Sequence, residues 1–445
     1  MNDNANNGGP GGLNPEDFEA FMRQFLSGNS GIDNEQLAKA AGLPSDPAAL
    51  AAMMEQLKSA MSSLSAQGSN PGVNWEMATA QARGIAKTGA LAISDGSRKS
   101  IQEAVSIGSL WLNEATSIPE VTGEPKLLSR ELWVADAMPL FQALSEPVAN
   151  RMSEALSENL SMNAPEELQE ILGSASGVMK SAGGALFAMQ LGQALGKLSQ
   201  EVLTGGDIGL PIFKDSRAAF VTQNLEAFIT GLEIEKDQAY IYLVTRELAH
   251  VRLFRHSKWL REAIVSQISK YAAEISIDNT RIIELAEEFD PQNPDELREA
   301  LQSGAFIAER TSDQNDALAS IETLLALIEG WVDVATETAT RRMPKAAAVA
   351  EAIRRRRATG GPAELTFGTL VGLELRPRRL REASAMWRAI GEAVGNEKRD
   401  SLWDHPDLLP NSKDIENPAG VISKLREGGD TPDAFDQALR DLLDK

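Results

Sequence analysis

Cysteine is absent from these 445 residues. That excludes disulfides, thiolate metal sites and cysteine nucleophiles, and it fits a reducing compartment. Histidine is scarce: His250, His256 and His405 are the whole supply, so a histidine-based metal site must draw on those three. Positive charge is outnumbered, with 43 Lys and Arg against 64 Asp and Glu and a net charge of −21. So acidic a chain lacks the basic face that general nucleic-acid binding needs, and anionic membranes repel it. No run of about 18 uncharged apolar residues occurs, so no transmembrane helix is expected. The opening MNDNANNGGPGG has no basic stretch leading into an apolar one, unlike a secretory signal, and a cytoplasmic location is the default expectation. Short alternating runs of β-branched residues are rare, which argues against a substantial sheet. No repeat of solenoid period is present.

What remains is helix-like pattern. Residues 1–14 are rich in Asn and Gly and read as disordered. Phe18, Phe21, Met22 and Phe25 mark one face of a short helix over 16–26. Asp46, with Pro47 at the first helical position, caps a longer one ending near the turn-forming QGSNP at 67–71. The expected organisation is a mobile N-terminal region with short helices (1–72), a helical domain (73–426) and an acidic C-terminal tail (427–445). Within the domain, helices are expected at 74–91, 97–116, 130–159, 165–203 with a break near Gly183-Gly184, 217–231, 237–255, 258–274, 279–288, 294–303, 313–340, 344–357, 364–375, 378–394 and 396–403. The fold class is therefore mainly α, a multi-helix domain with little or no sheet.

Three further segments attract notice. Gly184, Gly192 and Gly196 recur at helical spacing and suit a close helix contact. The 205–209 loop, Gly205-Gly206-Asp207-Ile208-Gly209, lacks the Lys-Ser/Thr of a phosphate-binding loop and follows no predicted strand. Arg354, Arg355, Arg356 and Arg357 precede Ala-Thr-Gly-Gly-Pro and read as a solvated helix end, favoured by the helix dipole.

The most informative stretch is 236–259, KDQAYIYLVTRELAHVRLFRHSKW. On a helix Arg246, Glu247 and His250 share one side, while Ile241, Leu243, Val244, Leu248, Val251, Leu253 and Phe254 make the helix too apolar to be exposed. Charged groups in such a helix must be paired or coordinated. The spelling Arg246-Glu247-Leu248-Ala249-His250 is H-E-x-x-H with arginine at the first position. H-E-x-x-H places two zinc ligands one turn apart with a glutamate general base between them. A second lone acid in an apolar run, Glu329 in LLALIEGWVD, has Asp333 one turn later.

Taken together these residues resemble a bacterial family, the zinicin-like metallopeptidases of type 2, candidate hydrolases of unknown function. The resemblance runs over about 73–420. It includes Val73-Asn74-Trp75, Gln190-Leu191-Gly192-Gln193-Ala194-Leu195-Gly196, Asp207-Ile208-Gly209-Leu210-Pro211, the Arg246 to Phe254 stretch, Glu329-Gly330-Trp331-Val332-Asp333 and Trp403-Asp404-His405-Pro406-Asp407-Leu408-Leu409-Pro410. It implies a zincin-like helical domain and peptide hydrolysis, with Glu247 activating water, His250 and Glu329 as metal ligands, and Asp333 as a weaker third candidate.

Arginine at position 246 bears on that chemistry. It has no lone pair to give and is permanently charged. At about 4 Å from Zn²⁺ its charge costs on the order of 8 kcal/mol at an effective dielectric of about 20. Three outcomes follow: a metal-free core in which Arg246 pairs with Glu329 or Glu247; a zinc held by His250, Glu329 and one further acid; or a metal-free hydrolase with Glu247 as base and Arg246 as oxyanion stabiliser. The functional alternatives are a metallopeptidase-type hydrolase with weak or lost activity and a non-catalytic peptide- or protein-binding or scaffold protein. The cofactor expectation is zinc or, with the arginine in place, none. The partner expectation is a peptide or protein, with neither nucleic acid nor membrane.

Overall fold

The computed structural model describes residues 72–163, 169–215, 217–276, 308–358 and 378–427, with the isolated positions 278, 280 and 368. The helices expected at 16–26, 47–66, 279–288, 294–303 and 364–375, and the acidic tail past Glu427, lie outside the described residues apart from the isolated positions named above.

Twelve α-helices and one two-stranded sheet make up the described residues. Helices α1 (Trp75–Lys87), α2 (Asp95–Ala115), α3 (Arg130–Asn163) and α4 (Gln169–Glu201) come first, with strand β1 (Lys126–Leu128) before α3. Strand β2 (Ala219–Val221) leads into α5 (Thr222–Thr230), followed by α6 (Lys236–His256), α7 (Trp259–Ala273) and α8 (Ser312–Thr340). Next come α9 (Ala346–Ala358), α10 (Leu380–Asp400), α11 (Ser412–Glu416) and α12 (Ala419–Glu427). Local chemistry sets several ends. Asn74 and Ser94 cap α1 and α2 with their side chains, and Thr311 with Gln314 forms a capping box at the start of α8.

Two expectations are corrected. The long fourth helix does not break near Gly183-Gly184; α4 runs unbroken from Gln169 to Glu201. Its glycines serve packing instead: a Cβ on Gly192 would lie 2.6 Å from the Ala78 carbonyl of α1, and one on Gly196 2.7 Å from Ile85. The segment 217–231 opens as strand β2 before turning helical, because Ala219, Phe220 and Val221 are drawn into parallel pairing with β1, in the register Lys126↔Ala219 to Leu128↔Val221. The division expected at 395 is present: α10 is two helical stretches kinked at Gly395 (φ 85°), and the chain then tightens into a 3₁₀ turn, Ser401–Trp403.

Two apolar clusters form. One gathers α2, α6, α8, α9 and α10 around Tyr242, Leu253, Trp331, Trp387 and Trp403. The other gathers α1, α3, α4 and α7 around Trp133, Phe141, Leu191 and Ile264. Among the described residues no helix is long and apolar enough to cross a membrane.

Candidate functional site

Helix α6 lies inside the first cluster, and its fifteen consecutive or near-consecutive buried positions run from Ala239 to Phe254. Small residues fix its place. A Cβ on Gly108 of α2 would sit 2.7 Å from the Thr245 hydroxyl, so α2 and α6 touch backbone to side chain beside Arg246. Gly330 does the same for α8 against Ala383 of α10, at 2.8 Å, next to Glu329. The two close approaches hold Arg246 and Glu329 at one level of the core.

There the sequence-predicted residues converge. Arg246 Nη2 donates to Glu329 Oε2 at 2.5 Å, and its Nη1 lies 3.5 Å from Asp333 Oδ1. His250 Nε2 lies 3.2 Å from Glu329 Oε1. Glu329 and Glu247 are wholly buried, and His250 is 1% exposed. Glu247 does not pair with the arginine. Its carboxylate accepts from the backbone N–H of Gly206 at 2.7 Å and of Ala219 at 3.1 Å. His256 and His405 stand apart, the first against Asp404 at 2.7 Å and the second exposed and capping the 406–408 turn.

Two further segments complete the cluster. The 205–209 loop lies directly on it. A Cβ on Gly206 would come within 2.5 Å of His250, and one on Gly209, whose φ is +72°, within 2.6 Å of Glu329 Oε1. Ile208, Leu210 and Ile212 anchor the loop in the second apolar cluster, while the glycines let its backbone reach the acids and the imidazole. The arginine run is likewise not a solvated helix end. Only Arg355 matches that expectation, pairing with Glu351 at the surface. Arg357 pairs with Glu329. Arg356 holds both oxygens of Asp207 at 2.8 Å each. Arg354 reaches Asp333 at 3.2 Å and also pairs with Glu337. The reason is charge: a buried acid at 207, 329 or 333 needs a counter-ion, and that demand outweighs hydration of the helix end. The legible signal was the coincidence of four cations with unpartnered acids in apolar runs.

The titration behaviour follows. Burial would raise the carboxyl of Glu329, but Arg357, Arg246 and His250 overcome it and hold the group far below the carboxylate range. Burial pushes His250 down despite Glu329, which disfavours the charged imidazolium. Burial drives Glu247 up to about 7, against the hydrogen bonds from Gly206, Thr204 and Ala219. Arg246 is raised, its desolvation outweighed by Glu329 and Asp333. His250 Nδ1, Arg246 Nη1 and the Tyr242 hydroxyl are buried without a hydrogen-bond partner among the described residues.

A zincin-like metallopeptidase model matches residues 73–422. A crystal structure from Chloroflexus aurantiacus, described as a candidate hydrolase with a novel fold, superposes with a TM-score of 0.55 at 19% identity, over 80% of this chain and 99% of that one. That likeness is one of fold. No curated protein matches the chain. The family name implies zinc, and the residues present fit it poorly. Glu329 would have to share its carboxylate between the metal and two guanidiniums. Among the described residues no three His, Cys, Asp or Glu side chains are grouped to hold a metal. Matched over most of its length and folded as a mainly helical body around the Arg246 to His250 turn, the chain belongs to the zincin-like metallopeptidase family.

Proposed function

We propose that this chain is a family member whose metal-dependent peptide hydrolysis is weak or lost, with the Arg246 guanidinium standing in the degenerate motif where the first zinc ligand belongs, and that it binds a peptide or protein segment rather than cutting it. The supporting observation is the saturation of Glu329. One of its oxygens faces Arg246, the other His250, and Arg357 adds a third partner. A zinc ion would have to displace two permanent cations from that carboxylate, against a Coulomb attraction of about 4 kcal/mol per pair at an effective dielectric of about 20. Glu247, the residue that would activate water, instead spends both oxygens on backbone N–H groups beneath the 205–209 loop.

A second reading, metal-free hydrolysis with Glu247 as general base, draws on its value near 7, well suited to proton transfer at neutral pH. One assay separates the readings. Quenched-fluorescent peptides are incubated with wild type and with Glu247→Gln, each with and without added zinc. Turnover at the same background in all four samples is expected. Turnover that needs Glu247 but not zinc would favour the second reading, and turnover needing both would overturn the first.

A further inference from the structure

We infer that α9 is an internal occupant of a guanidinium-recognition cleft, and that the ligand class this cleft takes is an arginine-rich peptide segment with Arg-x-Arg-Arg spacing. The inference deepens the binding reading above and rests on it only in treating the cleft as a binding site. The acceptors are set by the body of the protein and not by α9. Asp207 is also held by the Leu203 N–H at 2.9 Å, Glu329 by Arg246 and His250, and Asp333 by Arg246. Each therefore keeps a partner, and its position, when the α9 arginines leave. Into this row α9 delivers Arg354, Arg356 and Arg357, each onto a different acid.

The apolar anchorage of α9 lies ahead of its arginines, in the buried side chains of Val349, Ala350 and Ile353. The arginine end of such a helix, held by charge-assisted hydrogen bonds, can be displaced by a segment offering the same guanidiniums. The geometry favours arginine over lysine, because Arg356 engages Asp207 with two parallel hydrogen bonds that an ammonium cannot duplicate. A peptide is favoured over free arginine because one segment carries three guanidiniums to three separate acids at once.

The test uses a labelled synthetic peptide with the sequence of residues 346–358, AAAVAEAIRRRRA, and the full chain as wild type and as the double variant Arg356→Gln/Arg357→Gln. Fluorescence anisotropy should show the variant binding the peptide at least about tenfold more tightly than wild type, because its own occupant is weakened. A peptide with lysine at all four arginine positions should bind the variant about tenfold more weakly. A folded variant binding no tighter than wild type, or binding both peptides alike, overturns the inference. If circular dichroism shows the variant unfolded, wild type decides: excess arginine peptide should speed amide exchange across 346–358, and unchanged exchange overturns the inference. Zinc content is measured on the same samples, so that a metal-loaded site, which sinks the proposed function, is read separately from peptide binding.

Discussion

At the scale of single residues, a buried charge requires a partner. Arg246 and Glu329 are each less than a tenth exposed, so removing one leaves the other in a medium that cannot solvate it. Arg246→Ala should cost about 3 kcal/mol, the low end of the range for breaking a buried pair, because Arg357 still faces Glu329. Denaturant unfolding measures this, and a loss under about 0.5 kcal/mol, typical of surface substitutions, would contradict it. Glu247 gives a pH signature. Its folded-state value, raised to about 7 by burial, exceeds the ordinary 4.5, so the folded chain holds the proton more tightly than the unfolded one. The contribution of Glu247 to stability is therefore full below about pH 4.5 and is lost as pH rises through about 7. His250, lowered by burial, acts in the opposite sense over part of that window, so the difference between wild type and Glu247→Gln isolates the glutamate. Unfolding midpoints from pH 5 to 8 should move in favour of the variant as pH rises; a constant difference would rule this out. The convergence of Arg246, His250 and Glu329 was legible in the sequence, since lone polar groups in apolar helices must find one another. That Glu247 would turn to backbone N–H groups was not, because those donors sit on a loop and a strand far away in the chain.

Among the elements, the glycines decide how closely the parts meet. Gly206→Ala pushes a methyl to 2.5 Å from His250, and the anchoring of Ile208 in the second cluster leaves the loop little room to withdraw. Overpacking of this kind costs about 1–3 kcal/mol, and Gly209→Ala adds backbone strain at φ +72°. Thermal melts should fall for both, and an unchanged melt for Gly206→Ala would mean that the loop does not rest on the site. Helix existence was mostly readable from period alone: α6, α7 and α8 lie within two residues of expectation at each end. The misses share one cause. A three-residue strand such as β2 carries no period to detect, and the inward turn of Arg356 and Arg357 depends on acids that only tertiary structure brings near. Glycine at 183 and 184 looked like a helix breaker, yet the helix continues, because helix propensity yields to packing: Gly184 approaches the Gly72 backbone as closely as a missing side chain allows.

Across the whole molecule, buried polar nodes tie the helices together. Asp400 accepts from the Thr116 hydroxyl at 2.6 Å, the Ser117 N–H at 2.8 Å, Trp331 Nε1 at 2.8 Å and Arg399 Nε at 2.7 Å, joining α10 to the end of α2 and the interior of α8. The second node is the cluster in which the guanidiniums of Arg246, Arg354, Arg356 and Arg357 face the carboxylates of Asp207, Glu329, Asp333 and Glu337. The four cations balance the four anions, and from that balance follows the expectation that the cluster takes no metal. Zinc analysis by mass spectrometry of the untagged chain, beside His250→Ala, tests it most directly. The account predicts substoichiometric zinc in both proteins and a lower unfolding midpoint for the variant. One zinc per chain in wild type, lost on His250→Ala, would contradict it.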